Sequence, residues 1–249
     1  MAGKGTRYKQ QGFTTSKPLI PVNGIPMIIH AIDSYPKADK WVFVIRKEHL
    51  FETELISTIQ SVTKNVEFIV DENPVGQLNS LLVAKPFFEN ETEIFVGACD
   101  LAIVTHNMTF DHDITALTFT QQECLTRNPY SWGWLQINPL KMSCKVPLSD
   151  NPYNDHALTG CFTFKDGKTL LKMAEQLMKD DIKVKGEFYV DSLITIAEKY
   201  NYTVNENLVN YYISWGTPED YNRYNNNYKQ WQQGFSVDPR LASYFKETL

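Results

Sequence analysis

Four cysteines in 249 residues, at 99, 124, 144 and 161, form no C-x-x-C pair, and only five histidines accompany them. That scarcity argues against a zinc cluster and against a disulfide framework. No apolar run is long enough for a membrane span, and no secretory h-region opens the chain. Basic charge is also short: 24 Lys and Arg against 29 Asp and Glu leave a formal charge of −5, which argues against a broad nucleic-acid surface. Internal repeats, coiled-coil heptads and low-complexity tracts are absent. There is no Walker loop, because no Gly-Lys-Ser/Thr follows a four-residue gap, and Gly-x-Gly-x-x-Gly fails at Tyr8. No Ser/His/Asp or Cys/His constellation for covalent catalysis stands out. These absences leave a soluble, cytoplasmic protein as the expectation. With 43% hydrophobic residues it can bury a large core in one or two domains.

What is present begins at the N-terminus, in Met1-Ala2-Gly3-Lys4-Gly5-Thr6-Arg7 and Ser16-Lys17-Pro18-Leu19. Glycines at 3 and 5 permit close backbone approaches, and successive N–H groups in such a loop can converge on a phosphate. Lys4, Arg7 and Lys17 add positive charge; Arg7 can fork onto phosphate oxygens, whereas a lysine acts as a point charge. The segment reads as a polyphosphate site, with a poorly ordered Gly/Lys-rich terminus as the competing interpretation at this stage.

Downstream, apolar helices and strands alternate. Met27–Ser34 reads as a helix, Trp41–Ile45 as a strand covered on both faces, 48–61 as a helix and Val66–Val70 as the next strand. Pro74-Val75-Gly76-Gln77 turns into a further helix, and Glu93 to Asp100 reads as an apolar strand stopping at a carboxylate. An aspartate beyond the carboxyl end of a central strand is placed to hold a metal in a ligand crevice; a plain strand-end turn is the alternative. Residues 15–100 therefore predict an open α/β sheet. After Asp100 the texture changes to strands over 114–119, 132–137 and 157–164, punctuated by Asn, Asp and Pro. An amphipathic helix over 166–180 follows, then a helix opened by Gly186-Glu187-Phe188-Tyr189-Val190-Asp191. Strands over 202–209 and 211–214 precede a last helix begun by Thr217-Pro218, with no separate motif in the tail. Asp111-His112-Asp113 resembles a metal cluster only on paper, and a solvated loop is expected there.

Seven blocks in order resemble the nucleoside-diphosphate-sugar pyrophosphorylases, the sugar-1-phosphate nucleotidyltransferase family. They are MAGKGTR at 1–7, SKPLIPVNGIPMI at 16–28, VGQLNSLLVA at 75–84, FVGACD at 95–100, ALTGCFTF at 157–164, GEFYVD at 186–191 and SWGTPEDY at 214–221. Each is individually weak or moderate; their order across nearly the whole chain carries the resemblance. It implies a Rossmann-like mixed central sheet flanked by helices, with a smaller acceptor-side β subregion. The expected organisation is one domain over 1–249, with 1–100 mainly NTP-binding and 101–249 mainly acceptor-binding plus C-terminal helices. The implied activity is transfer of NMP from an NTP to a sugar 1-phosphate or related phosphorylated acceptor, releasing pyrophosphate, in a pathway such as surface-polysaccharide synthesis.

The resemblance also implies roles. Arg7 and Lys17 would hold and neutralise the reacting phosphates. Ala2, Gly3, Gly5, Gly76 and Gln77 would bind the nucleotide, Asp100 would ligate Mg²⁺, and Gly160 and Glu187 would face the acceptor. Three departures qualify it. The family's apolar strand before the glycine loop is not present ahead of Met1, so a truncated reading is expected. Ser214 stands where many members carry a second metal-binding aspartate, with Glu187 a substitute candidate. The stretch 145–152 lacks the usual Glu-Lys pair. A metal-dependent glycosyltransferase using a nucleotide-sugar donor and a catalytically weak nucleotide-binding homologue stay open as alternatives.

Overall fold

The structure, a computed structural model, describes residues 1, 3 and 5–247. Helix α1 (Thr6–Gln10) follows the glycine loop, and a 3-10 turn at Lys17–Leu19 leads into a two-stranded ribbon, β1 (Pro21–Val22) and β2 (Ile25–Pro26). Pro26 caps α2 (Met27–Ser34), which buries Met27, Ile28, Ala31 and Ile32. Strand β3 (Trp41–Ile45) pairs in parallel with β4 (Val66–Val70). Between them lie a 3-10 stretch, Lys47–Phe51, and α3 (Thr53–Val62). The single helix expected over 48–61 is broken at Glu52, whose φ of −86° and ψ of 76° fit no helix.

Helices α4 (Gln77–Val83) and α5 (Lys85–Phe88) precede β5 (Thr92–Val96). The apolar run continues to Cys99, but the strand ends at Val96 because Tyr35 takes over the next backbone groups. Its hydroxyl donates to the Ala98 carbonyl at 2.5 Å and accepts from the Ala98 N–H at 3.2 Å. Asp100 therefore sits in a loop between β5 and β6 (Leu101–Val104) rather than at a strand end.

The rest comprises β7 (Ile114–Phe119), α6 (Glu123–Arg127), β8 (Gly133–Gln136), β9 (Lys141–Cys144) and β10 (His156–Asp166). Then come α7 (Gly167–Lys179), α8 (Leu193–Tyr200), β11 (Val204–Leu208), β12 (Tyr211–Ser214), α9 (Pro218–Gln232) and α10 (Pro239–Glu247). The helix expected from Gly186 starts only at Leu193, as α8. Lys185 and Gly186 take successive positive φ values of 51° and 82°, which suit a tight turn and not a right-handed helix. Val184 and Glu187 close that turn through backbone bonds of 2.9 and 3.1 Å. The tail likewise has more structure than its sequence suggested: α10 buries Leu241, Tyr244 and Phe245.

The central sheet runs β11-β7-β10-β8-β9, with β5 also on β10. Strands β11 and β7 are parallel; the other pairs in this sheet are antiparallel. One edge of β10 holds β7, while the other holds β8 at 156–157 and β5 at 162–166. The changeover occurs at a register shift between Leu158 and Phe162, where Gly160 takes a φ of 87°. Such a bulge in a long strand re-aims its two halves, and glycine reaches that angle without a Cβ penalty. Strand β7 is buried at every residue, with Ile114 and Ala116 in one apolar cluster and Leu117 and Phe119 in another. The result is a mixed parallel and antiparallel sheet flanked by helices, with the β8–β9 hairpin as a smaller peripheral β region, consistent with a Rossmann-like α/β fold. Asp113 is not in a solvated loop: it is buried, accepts from Thr203 N–H at 2.7 Å and Thr203 Oγ1 at 2.9 Å, and pairs with Lys165 at 2.5 Å.

Candidate functional site

Lys17 opens the 3-10 turn after the glycine loop, and Pro18 and Leu19 behind it are buried, which fixes its starting point. Its Nζ donates to Asp100 Oδ2 at 2.6 Å and to the Gly216 carbonyl at 2.9 Å, 83 and 199 residues away along the chain. An ammonium carries three donors, so a third N–H remains for a ligand. The Tyr8 ring lies 5.2 Å from the same Nζ, a cation–π contact on the protein side.

Tyr8 is 2% exposed, and its hydroxyl donates to the carbonyls of Trp215 at 2.7 Å and Thr217 at 3.1 Å. Burial, then the charges of Asp100 and Asp220, push the phenol far above its ordinary value of 10.0, so Tyr8 is a permanent donor. It ties the helix after the glycine loop to the Ser214–Thr217 turn. That turn is reinforced from the other side: Ser214 Oγ accepts from Gly216 N–H at 3.2 Å and donates to Asp220 Oδ2 at 3.2 Å. Thr217 Oγ1 also donates to Asp220 at 2.9 Å and caps α9.

Beside this cluster is a cavity of about 90 Å³ lined by Gly3, Gly5, Lys9, Lys17, Arg46 and His49, among others. Basic side chains and two glycines around a small opening make a pocket for an anion. Of the residues expected at the site, Gly3, Gly5, Lys17 and Asp100 thus come together in one region. Arg7 is exposed on α1 and has no hydrogen-bond or ion-pair partner among the described residues. Ala2 and Lys4 lie outside the described residues.

Gly76, Gln77 and Glu187 form a second group. Gly76 takes a φ of 141° at the start of α4, and a Cβ there would stand 3.1 Å from the Phe188 carbonyl and 3.4 Å from Glu187 Cβ. The Leu78 N–H donates to the same carbonyl at 3.1 Å, so the α4 N-terminus is locked to the 187–188 turn. Glu187 is exposed and accepts from Tyr189 OH at 3.1 Å. Gly160 is linked to the Asp100 loop through its neighbour Cys161, whose Sγ is 3.9 Å from the Tyr35 hydroxyl that bridges Ala98.

Asp100 is the one carboxylate among these residues placed beside the Lys17 ammonium. Among the described residues no group of three His, Cys, Asp or Glu side chains could hold a metal. Mg²⁺ commonly takes one or two carboxylates and completes its shell with water and substrate phosphates, so the donor set fits a phosphate-dependent Mg²⁺ site and not a protein-only cage. Ser214 does not offer a free second ligand, because its hydroxyl already joins Gly216 to Asp220.

Tyr8, Gly216, Arg46 and His49 were not assigned from sequence. Arg46 had a readable signal, a cation directly after an apolar parallel strand.

Residues 1–122 match the family of MobA-like NTP transferase domains. The bifunctional protein GlmU of Thermotoga petrophila is 25% identical over 220 residues, covering 84% of this chain and 46% of that protein. The chain thus spans about half the length of such curated relatives. Among solved structures, a nucleoside-diphosphate-sugar pyrophosphorylase from Vibrio cholerae RC9 superposes with a TM-score of 0.72 at 18% identity, over 90% of this chain and 96% of the other. The inositol-1-phosphate CTP transferase of T. maritima gives 0.69 at 13% identity, over 99% and 94%. The N-terminal half of the chain is thus similar to the MobA-like NTP transferase domains, and the whole chain shares the fold of these nucleotidyltransferase structures.

Proposed function

We propose that this protein transfers a nucleotidyl group from an NTP to a phosphorylated small molecule, a sugar 1-phosphate or a related acceptor, releasing pyrophosphate. The observation that carries this reading is the Lys17 ammonium, fixed by Asp100 and the Gly216 carbonyl at the edge of a glycine-lined basic cavity. In the reaction an acceptor phosphate oxygen attacks the α-phosphorus. The bond from that phosphorus to the bridging oxygen breaks, and the electron pair leaves with pyrophosphate. The nucleophile is already anionic and needs no general base. It needs alignment and relief from anion–anion repulsion, which a positioned cation supplies.

Lys17 has that role here, with one N–H beyond its bonds to Asp100 and Gly216 available to a phosphate and the Tyr8 ring beside it. Asp100 would hold Mg²⁺, which when bound supplies further charge neutralisation at the phosphates. Gly76 and Gln77 at the start of α4 are assigned to the nucleotide, and Gly160 and Glu187 to the acceptor. Arg7, exposed near the loop, is assigned to the outer phosphates. Residues 1–100 then serve mainly the NTP and 101–249 mainly the acceptor, within one domain.

The Ser214 hydroxyl, spent on Gly216 and Asp220, favours one second reading: a homologue that binds nucleotide with little turnover. One assay separates the two. Pyrophosphate release is measured with Mg²⁺ across four NTPs and a panel of sugar 1-phosphates and other small phosphate esters. Release with one NTP–acceptor pair, reduced at least about a hundredfold in folded Lys17→Ala, is the expected result. NTP binding without release for any acceptor favours the second reading, and near-normal turnover in Lys17→Ala removes Lys17 from its role.

A further inference from the structure

Arg46 stands immediately after β3, at the carboxyl end of a parallel strand pair, and its side chain is 15% exposed. No carboxylate is within hydrogen-bond distance of it: the nearest contact to one is Nη1 to Glu48 Oε1 at 3.7 Å, and Glu48 is largely exposed. Its Nε is buried with no hydrogen-bond partner. Its Nη2 rests 3.0 Å from His49 Nε2, and its backbone N–H points at His49 Nδ1 at 3.4 Å. His49 is 1% exposed, and burial together with the Arg46 charge holds its imidazole below the usual histidine value.

A neutral imidazole has one acceptor nitrogen and one N–H. Arg46 presents a donor to both nitrogens, so in either tautomer one of the two contacts sets donor against donor. At most, with its proton on Nδ1, the ring satisfies one of the guanidinium's five N–H groups through Nε2, so it supports the guanidinium and leaves the other donors without an acceptor from it. The cavity lined by Gly3, Gly5 and Lys17 is where the missing acceptor can enter.

We propose that Arg46, propped on His49, is a clamp for a phosphate oxyanion, and that it engages the terminal phosphates of the bound polyphosphate. This rests on the nucleotidyl-transfer reading and specifies how that site tells a triphosphate from a monophosphate. A guanidinium short of acceptors in a covered position is the complement of a phosphate, which accepts two N–H groups side by side. The lining also contains an opposing group: Glu52 Oε2 is buried without a partner in the same cavity. Its negative charge weakens anion binding, so its neutralisation has the opposite sign to loss of Arg46.

The test is calorimetric titration of the full chain with inorganic tripolyphosphate and, separately, with nucleoside monophosphates, with and without Mg²⁺. Arg46→Ala is expected to weaken tripolyphosphate about tenfold or more while leaving monophosphate affinity within about twofold. Arg46→Lys falls between, because it keeps charge and loses the fork. Glu52→Gln is expected to tighten tripolyphosphate, a change that a merely structural role for this cluster does not produce. Circular dichroism checks folding, and if Arg46→Ala unfolds, Arg46→Lys and Glu52→Gln carry the decision. Unchanged tripolyphosphate affinity in folded Arg46→Ala, or equal loss of both ligands, overturns the clamp. A wild-type chain that binds NTP but not tripolyphosphate overturns the clamp alone; one that binds neither overturns the transfer reading as well.

Discussion

Tyr8 does more for the site than its place in the glycine segment suggests. Its hydroxyl serves two backbone carbonyls, and its ring backs the Lys17 ammonium. Tyr8→Phe keeps the ring but leaves the Trp215 carbonyl without its donor, while the Thr217 carbonyl keeps only the Tyr221 N–H at 3.0 Å, at a cost of about 1–2 kcal/mol in stability. A lower melting temperature and a weakened nucleotide titration are expected together; unchanged values for both remove Tyr8 from the support of the site. Lys17 and Asp100 were both legible as candidates, one from the loop chemistry and one from the end of an apolar run. Their pairing was not legible, because the 82 residues between them include five strands and four α-helices whose packing decides which ends meet.

Among the elements, β10 is the one on which the sheet depends, since it pairs with three strands and changes partners at Gly160. Period and composition located most strands and helices within a residue or two: α2, β3, β4 and β7 fall where the apolar runs put them. Expectation and structure part where a backbone angle or a distant side chain intervenes. Lys185 and Gly186 turn with positive φ, and the hydroxyl of Tyr35 ends β5 early. Asp113 is the clearest case, since its partner Thr203 is 90 residues away and joins the start of β11 to the start of β7.

Burial alone would raise the Asp113 carboxyl, but bonds from Lys165 and Thr203 outweigh it and leave the group below its ordinary 3.8. A depressed carboxylate stabilises the fold fully above its unfolded value, and that contribution is lost as pH falls through the folded value. Asp113→Asn is therefore expected to cost about 1–3 kcal/mol at neutral pH. Its deficit relative to wild type should shrink below about pH 4. Denaturant titrations at pH 7 and pH 3 check both; a deficit equal at the two pH values would falsify the charge argument.

At the scale of the whole molecule, the C-terminal helices share a core with the glycine-loop region. Tyr224 on α9 and Tyr244 and Phe245 on α10 pack with Tyr8, Ile20, Val22, Met27 and Trp215. Phe245 is fully buried and touches the rings of Tyr224, Tyr228 and Trp231. Phe245→Ala is expected to cost about 3–5 kcal/mol and to weaken nucleotide binding, since the cavity it opens adjoins the supports of the loop. Loss of stability with ligand affinity intact at a temperature where the variant is folded would separate the two regions. Nothing local in residues 239–247 announced this coupling: the tail carries no motif of its own, and beside Tyr224, Tyr228 and Trp231 of the preceding helix its cluster takes in Tyr8, Ile20, Val22 and Met27, more than 200 positions away.

The same closure sets an order of events in biosynthesis. The loop residues Tyr8 and Lys17 are anchored by carbonyls at 215, 216 and 217, so they leave the ribosome some 200 residues ahead of the groups that hold them. A nascent or prematurely terminated chain carries the glycine loop but lacks its clasp. On the proposed reading, the nucleotide site is complete only once the rest of the domain has been made.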